Sequence, residues 1–187
     1  MTRTVFIDIE TDSLDATQIY CAVTLEGGKY IEWISGTTLQ EYLDDATVVA
    51  HNGLSFDFPV LAKLWNVRLK MENMRDTLVL SMMDNPAREG GHSLKSWGER
   101  LGSAKIEFND FSQYTGKMME YCKQDVKLCS QVYNYLQHTL QEFSPKSVSD
   151  EHRMRIVADR ISHNGFGLDK DKAVLLYNSL VLEQKQI

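Results

Sequence analysis

Apolar residues cluster in two short runs near the start of the chain, and each run has the length of a buried β-strand. We predict these strands over residues 4–9 and 19–25. Gly27-Gly28 follows the second run directly and predicts a hairpin turn into a third strand over 29–34. The chain therefore begins with strands, of which the second and third are antiparallel neighbours.

Beyond the hairpin, helical patterns alternate with one further strand. Thr38 followed by Glu41 has the form of a capping box, which predicts a short helix before a strand over 47–50. Pro59 fits the first turn of the next helix, which runs to about residue 65. Later helices are predicted after Asp76-Thr77 and over about 93–101, 115–140, 150–164 and 170–187. This order of elements indicates an α/β fold whose mixed sheet is flanked by helices.

The pattern breaks near residues 142–149, where serines and a proline stand. We expect a main domain over 1–143 and a small C-terminal helical appendage over 144–187, whose first helix is capped by Asp150 and ended by Gly165. The appendage is too small for a core of its own, so its apolar side chains must pack on the main domain, on a second copy or on another chain. Those side chains are Ile156, Ile161, Phe166, Leu168, Leu175, Leu176 and Leu180.

Composition excludes several classes of protein. The 187 residues are 43% apolar and 10% aromatic, which is enough for a buried core and unlike a disordered chain. No run of about 18 apolar residues occurs, and the first residues lead straight into a strand, so we expect neither a membrane span nor a signal peptide. Cys21, Cys122 and Cys129 form no CxxC pair, which favours a reduced, cytoplasmic protein without zinc or disulfides.

Four acidic residues stand where they could hold metal ions. Asp8 and Glu10 lie two apart on the first predicted strand, so both point to one face with Cα atoms about 6.5–7 Å apart. That spacing lets two carboxylates share metal ions roughly 3.5–4 Å apart. Asp57 and Asp125 could complete the set, and Tyr121, four residues before Asp125, shares its face of a predicted helix. The pattern predicts a metal-dependent nuclease site.

Each of these residues also has an ordinary structural interpretation. Asp57 could complement the dipole of a helix N-terminus, Asp125 could be a surface acid and Tyr121 a core residue. The net charge of −6 argues against a general nucleic-acid coat protein. It is compatible with a nuclease, because metal ligands would account for four of the negative charges. Taken together, the acids favour the metal site.

Three stretches carry these residues in a recognisable order. DIETDSLD (residues 8–15), HNGLSFDFPVL (51–61) and YCKQD (121–125) resemble the three exonuclease motifs of the proofreading domain in family A DNA polymerases. Two linking stretches, DTLVLS (76–81) and GHSLKSWGERLG (91–102), are most similar to those of the T-seven-like bacteriophage DNA polymerases. The motifs are specific when they occur together in this order.

This resemblance implies a ribonuclease H-like fold and a 3′-5′ exonuclease that uses two Mg²⁺ or Mn²⁺ ions. The metal ligands would be Asp8, Glu10, Asp57 and Asp125. Tyr121 would orient the attacking water, since a hydroxyl with a pKa of about 10 is a poor general base. A histidine five residues before the last aspartate would mark a sister subclass. Glu120 stands there, which favours the tyrosine subclass, DEDDy.

The resemblance also implies contacts with the end of the substrate strand. Thr11 and Leu14 would hold the terminal nucleotide, with Leu14 as an apolar wedge against the base. Asn52 and Phe56 would contact the penultimate sugar or stack on a base. The alternatives are a turn residue for Thr11 and Asn52 and a core residue for Leu14 and Phe56.

The same resemblance implies proofreading of single-stranded DNA 3′ ends in phage replication, by a domain or a separate subunit of a DNA polymerase. Residues 151–170 are similar to the segment that enters the polymerase thumb, so we expect residues 145–187 to contact a separate polymerase chain. The polymerase carboxylates are absent from the sequence, so we expect no polymerase activity in this chain. An RNA-trimming exonuclease of the same fold and a non-catalytic adaptor are the alternatives.

Overall fold

The computed structural model describes residues 3–103 and 108–185, which form two compact units, Met1–Ile156 and Val157–Ile187. The strands are β1 (Arg3–Thr11), β2 (Ile19–Glu26), β3 (Lys29–Trp33), β4 (Ala46–Ala50) and β5 (Met74–Asp76). The helices are α1 (Leu39–Leu43), α2 (Asp57–Leu64), α3 (Thr77–Asp84), α4 (Leu94–Arg100), α5 (Gly116–Tyr135), α6 (Gln137–Glu142), α7 (Pro145–Asn164) and α8 (Lys170–Gln184). A 3₁₀ turn, Met71–Asn73, precedes β5.

The five strands form one mixed sheet in the order β3-β2-β1-β4-β5. β2 pairs antiparallel with both β1 and β3, whereas β4 runs parallel to β1 and β5. The predicted mixed α/β sheet is therefore confirmed. β5 was not predicted, because three residues, Met-Arg-Asp, are too short and too polar to give a strand pattern.

The two faces of β1 pack against different helices. Val5, Ile7 and Ile9 belong to a buried cluster with residues of α1 and α2, such as Leu39 and Leu61. Phe6 packs instead against a cluster that includes Met118, Cys122 and Val126 of α5. Because side chains alternate along a strand, Asp8 and Glu10 lie on the α5 face with Phe6.

Two helix boundaries and one helix cap differ from the predicted ones. Thr38 precedes α1, but its side chain makes no capping hydrogen bond, so the predicted capping box does not form. The predicted helix over 115–140 is interrupted at Leu136, where α5 ends and α6 follows. α7 begins at Pro145 rather than beside Asp150, because proline suits the first position of a helix and the Ser144 hydroxyl accepts a hydrogen bond of 3.0 Å from Ser147 N–H.

The boundary between the two compact units lies at Ile156, and the predicted domain boundary at 143/144 stays a prediction. Val148 and His152 of α7 are buried, and Ile156 packs against the cluster that contains Ile7 and Ile9. The first part of α7 thus belongs to the larger unit because its inward side chains complete that core. The division into an exonuclease domain and a polymerase-like segment stays a prediction, and the predicted loop over 102–113 lies partly outside the described residues.

The smaller unit contains the end of α7, a turn at Gly165 and α8. Gly165 has φ 62°, which ends the helix as predicted, and the Asp169 side chain caps α8 by accepting a hydrogen bond from Lys172 N–H. Exposed apolar side chains of this unit include Ile161, Phe166, Leu168, Leu175, Leu176 and Leu180. Across the described ranges, the helices are too short or too polar to cross a bilayer.

Candidate active site

Asp8 and Glu10 lie on the part of β1 that extends past the end of β4. The last β1–β4 pair is Phe6 with Val49, and β4 ends one residue later. Carboxylate oxygens of Asp8 and Glu10 and the sulfur of Cys122 all lie within 4.8 Å of one another. Glu10 is buried and Asp8 is partly exposed. The pair therefore lies at the carboxyl ends of the parallel strands, the edge at which ligands bind in open α/β sheets.

Asp57 is brought to the same end of β1 by the turn that follows β4. It is the first residue of α2, it is buried, and its carboxyl accepts hydrogen bonds from its own N–H and from Ile9 N–H. The pKa of Asp57 is raised to about 7, mainly by burial; the nearby charges of Asp76 and Asp125 add to the rise, and the two hydrogen bonds oppose it. A carboxyl with this pKa is costly to ionise unless a cation lies beside it.

Helix α5 contributes Tyr121 and Asp125. The Thr115 hydroxyl caps the helix at Met118 N–H, and the buried stripe of Met118, Cys122 and Val126 holds it against the sheet. Asp125 is buried on the side that faces Asp57, close enough to raise the pKa of that residue. All four predicted acids thus surround one end of β1.

The Tyr121 ring is held among other aromatic rings. Its centroid lies 5.5 Å from that of Phe108 and 6.3 Å from that of Phe111. The loop that carries these phenylalanines is tied down by Tyr20, whose hydroxyl donates a hydrogen bond of 3.0 Å to Ser112 O. These ring contacts place the Tyr121 side chain one helical turn before Asp125.

The donor set fits hard divalent cations. Carboxylate oxygens are the ligands that Mg²⁺ and Mn²⁺ prefer, and buried carboxylates such as Glu10 and Asp57 require compensating positive charge. Cys122 lies beside them, but its thiol donates a hydrogen bond of 3.4 Å to Asp8 O, and burial raises its pKa well above the usual range. The Cys122 thiol is therefore engaged with the backbone of β1, and soft sulfur is not a ligand that Mg²⁺ or Mn²⁺ prefers.

The turn between β4 and α2 depends on Asp76, which the sequence indicated only as the residue before a helix. The buried Asp76 carboxyl accepts hydrogen bonds from Asn52 N–H at 2.8 Å, Leu54 N–H at 3.1 Å and Leu78 N–H at 2.9 Å. Asn52 adopts the left-handed φ of 62°. A Cβ on Gly53 would lie 2.4 Å from that of Ala50, so only glycine fits there. Asp76 thus shapes the turn that leads into Asp57.

Two residues of α7 also reach this turn, and sequence reasoning assigned both to the appendage. His152 Nε2 accepts a hydrogen bond of 2.9 Å from Asp76 N–H. Arg155 donates to Ser55 Oγ at 2.9 Å and to Asn52 Oδ1 at 3.1 Å. These contacts join residues 76 to 103 positions apart, which no local pattern indicates. In the sequence, only the similarity of residues 151–170 to the segment that enters the polymerase thumb draws attention to His152 and Arg155.

The residues expected to touch substrate differ in their surroundings. The Thr11 hydroxyl donates to Ser13 O at 2.9 Å, which fits the turn interpretation. Leu14 is 91% exposed, so the core interpretation is wrong for it. Phe56 is partly buried against the cluster around Ile9, and Asn52 lies in the turn described above. Their contacts with a nucleic acid stay predictions.

Comparison with known families agrees with this geometry. A family model described as 3′-5′ exonuclease, of the DNA polymerase A type, matches residues 2–141. The chain belongs to the 3′-5′ exonuclease family. The matched residues contain all three predicted motifs, and the family likeness read from the sequence is therefore confirmed.

Relatives of the exonuclease include two phage proteins. The chain is 25% identical to the DNA-directed DNA polymerase of Enterobacteria phage T3 and 24% identical to that of Escherichia phage T7. Each match covers 96% of this chain and 35% of the polymerase, so the chain spans about a third of the length of these relatives.

A solved structure shares the fold over most of its length. Brucella melitensis NrnC, solved bound to pGG, superposes with a TM-score of 0.69 at 20% identity, covering 88% of this chain and 87% of NrnC. The fold of the exonuclease is therefore ribonuclease H-like, as expected from the sequence.

Proposed function

We propose that the protein removes nucleotides from the 3′ end of single-stranded DNA by hydrolysing the terminal phosphodiester, and that it releases nucleoside monophosphates. The observation that carries this proposal is the meeting of Asp8 and Glu10 with Asp57 and Asp125 at one end of β1. Membership of the 3′-5′ exonuclease family supports the reaction type and polarity.

In this proposal the protein groups hold the metals and position the water. Two Mg²⁺ or Mn²⁺ ions bound by the four acids would supply an activated water and stabilise the charge that develops on the leaving 3′ oxygen. The Tyr121 hydroxyl, fixed by the Phe108 and Phe111 rings, orients the attacking water, which fits the tyrosine subclass. Tyr121 does not act as the base, because its hydroxyl is a weak acid at neutral pH.

The substrate strand would approach along the loop after β1. Leu14 stands 91% exposed four residues beyond Glu10, a position suited to an apolar wedge against the terminal base. Thr11 would contact the terminal nucleotide, and Asn52 and Phe56 would contact the penultimate one. Apolar and aromatic contacts of this kind accept any base, as a general exonuclease requires.

The test is digestion of single-stranded DNA labelled at the 3′ or the 5′ end, with Mg²⁺ or Mn²⁺. We expect mononucleotide release from 3′ ends, faster on single strands or mismatched ends than on paired ends, and abolished by EDTA. The double variant Asp8→Ala with Glu10→Ala should be inactive, whereas Asp15→Ala, an exposed acid of the same motif, should keep wild-type activity. Cutting of closed circular DNA, or activity in the double variant, would refute the proposal.

RNA is the second candidate substrate, since the predicted carboxylates do not distinguish the two sugars. The observation that favours it is the likeness to NrnC, solved bound to pGG, over almost the whole of both chains. Matched DNA and RNA oligonucleotides, together with the dinucleotide pGG, discriminate the candidates because only the 2′-hydroxyl and the length differ. Faster digestion of RNA or of pGG than of DNA would replace the DNA assignment. Binding of DNA without hydrolysis would favour the adaptor alternative.

We further propose a proofreading role in phage DNA replication, with residues 145–187 contacting a separate polymerase chain in the cytoplasm of a host cell. Support comes from the phage polymerase relatives and from the exposed apolar side chains of the smaller unit. Without that partner, we expect the chain to self-associate at micromolar concentration by light scattering. Leu175→Glu with Leu180→Glu should then restore a monomer. If the wild-type chain were strictly monomeric, the exposed apolar side chains would no longer support contact with a polymerase chain.

A further inference from the structure

Arg155 contacts the active-site turn from outside the part of the chain that the family model matches. The match ends at residue 141, whereas Arg155 lies in α7. Its Nε donates to Ser55 Oγ at 2.9 Å, and its Nη2 donates to Asn52 Oδ1 at 3.1 Å. Both acceptors belong to the turn that delivers Asp57 to the end of β1. The guanidinium therefore bridges two side chains of one turn.

The same helix supports this turn a second time. His152, three residues before Arg155 and on the same helix face, accepts a hydrogen bond from Asp76 N–H. Asp76 in turn accepts from the backbone N–H groups of Asn52 and Leu54. The backbone of the turn is thus held by Asp76, and its side chains are held by Arg155.

The contact with Arg155 sets the orientation of the Asn52 amide. Because Oδ1 accepts from the guanidinium, that end of the amide is engaged with the protein. The Nδ2 end can only donate, so it suits an oxygen of a substrate sugar or phosphate. Asn52 cannot turn to present Oδ1 without losing a hydrogen bond to a charged group.

We propose that Arg155 is a positioning residue for substrate binding, acting through Asn52, and this inference rests on the proposed exonuclease function. It assigns part of the nucleic-acid site to α7, a helix that begins after the end of the family-model match. Arg155 does not touch the reacting phosphate; it keeps the Asn52 amide in the orientation that contacts the strand. Its loss should weaken substrate binding more than the chemical step.

The test compares steady-state kinetics of four variants on single-stranded DNA with Mg²⁺: Arg155→Ala, Arg155→Lys, Asn52→Ala and the double variant Arg155→Ala with Asn52→Ala. We expect Arg155→Ala to raise KM about tenfold while kcat changes less than about threefold. Arg155→Lys keeps the charge but cannot make both hydrogen bonds, so its KM should lie between those of the wild type and Arg155→Ala. The double variant should be no worse than Asn52→Ala, because the two residues act as one unit. Arg153→Ala, an exposed arginine of the same helix, is the matched control and should match the wild type.

Two further readouts separate positioning from simple destabilisation. Hydrogen exchange of the 51–56 amides should accelerate in Arg155→Ala, while the melting temperature stays close to that of Arg153→Ala. An unchanged KM, an equal loss in kcat with a lowered melting temperature, or an effect that adds to that of Asn52→Ala would overturn the inference. A wild-type protein that neither binds nor hydrolyses the oligonucleotide would overturn the proposed function and this inference with it, before any variant is compared.

Discussion

The backbone N–H of Asp76 donates a hydrogen bond of 2.9 Å to Nε2 of His152, and this contact ties strand β5 to helix α7. Because Nε2 accepts, the imidazole proton must lie on Nδ1, which donates to Val148 O at 2.7 Å. Both ring nitrogens are satisfied only when the histidine is neutral. Burial accordingly lowers the pKa of His152 from 6.5 to about 4.

Stability should fall on mild acidification because of His152. In the unfolded chain the pKa is 6.5, whereas in the folded protein it is about 4, so between these values the unfolded state binds more protons. The contribution of neutral His152 to the free energy of unfolding is therefore complete above pH 6.5 and is lost as the pH falls toward 4. Urea unfolding should show a loss of about 2 kcal/mol between roughly pH 7 and pH 5.

The control for this pH dependence is His152→Gln, which is less stable throughout but has no imidazole to protonate. The difference between the two unfolding curves isolates His152 from carboxyl groups that titrate in the same range, such as Asp57. Parallel curves for wild type and variant would show that His152 carries no such contribution.

Removing a metal ligand should affect the rate far more than removing the tyrosine hydroxyl. Asp8→Ala should lower the exonuclease rate by several orders of magnitude with the fold retained, because charge stabilisation by the bound metal is lost. Tyr121→Phe should lower the exonuclease rate about 10- to 100-fold, because it removes only the group that orients the attacking water. Single-turnover digestion of labelled DNA measures both. A Tyr121→Phe loss as large as that of Asp8→Ala would give the hydroxyl a larger role than positioning.

The neutral variant Asp57→Asn should stabilise the metal-free protein and abolish its activity. The folded pKa of Asp57 is about 7 against an ordinary 3.8, so at about pH 8 the wild type holds a buried charge that asparagine lacks. The gain in unfolding free energy should be on the order of 1–3 kcal/mol in EDTA and should shrink when Mg²⁺ is added. Chemical unfolding with and without Mg²⁺ measures it. If Asp57→Asn were less stable than the wild type in EDTA, the buried Asp57 carboxylate would not destabilise the metal-free protein.

Substitution of Gly53 should disrupt the active-site turn. A Cβ at this position would lie 2.4 Å from Ala50 Cβ and 3.1 Å from two ring carbons of Phe58, so the backbone must shift. We expect Gly53→Ala to lower the unfolding free energy by about 2 kcal/mol and the exonuclease rate by at least about tenfold. Gly116→Ala is the control, because its Cβ would meet nothing within 4 Å and it begins helix α5. Equal behaviour of the two variants would show that the turn can rearrange.

The smaller unit illustrates where local patterns are sufficient. Gly165 ends α7 with a left-handed φ, and Asp169 caps α8, both at the ends expected from residue type. The start of α7 lies at Pro145 and not at the predicted Asp150, because proline suits the first helical position and the Ser144 hydroxyl accepts from Ser147 N–H. Competing local signals of similar strength cannot be ranked from the sequence alone.

By itself the sequence determined the α/β class, the strand hairpin, and the common face of Asp8 and Glu10, since these follow from short-range periodicity. Only the tertiary structure decided that Asp57 lies against Ile9 N–H, and that Asp76, His152 and Arg155 support the turn before Asp57. Such contacts join residues about 50 to 100 positions apart. They arise because packing of whole elements brings distant polar groups together, and most buried polar groups need a hydrogen-bond partner. No local stretch of sequence expresses that requirement.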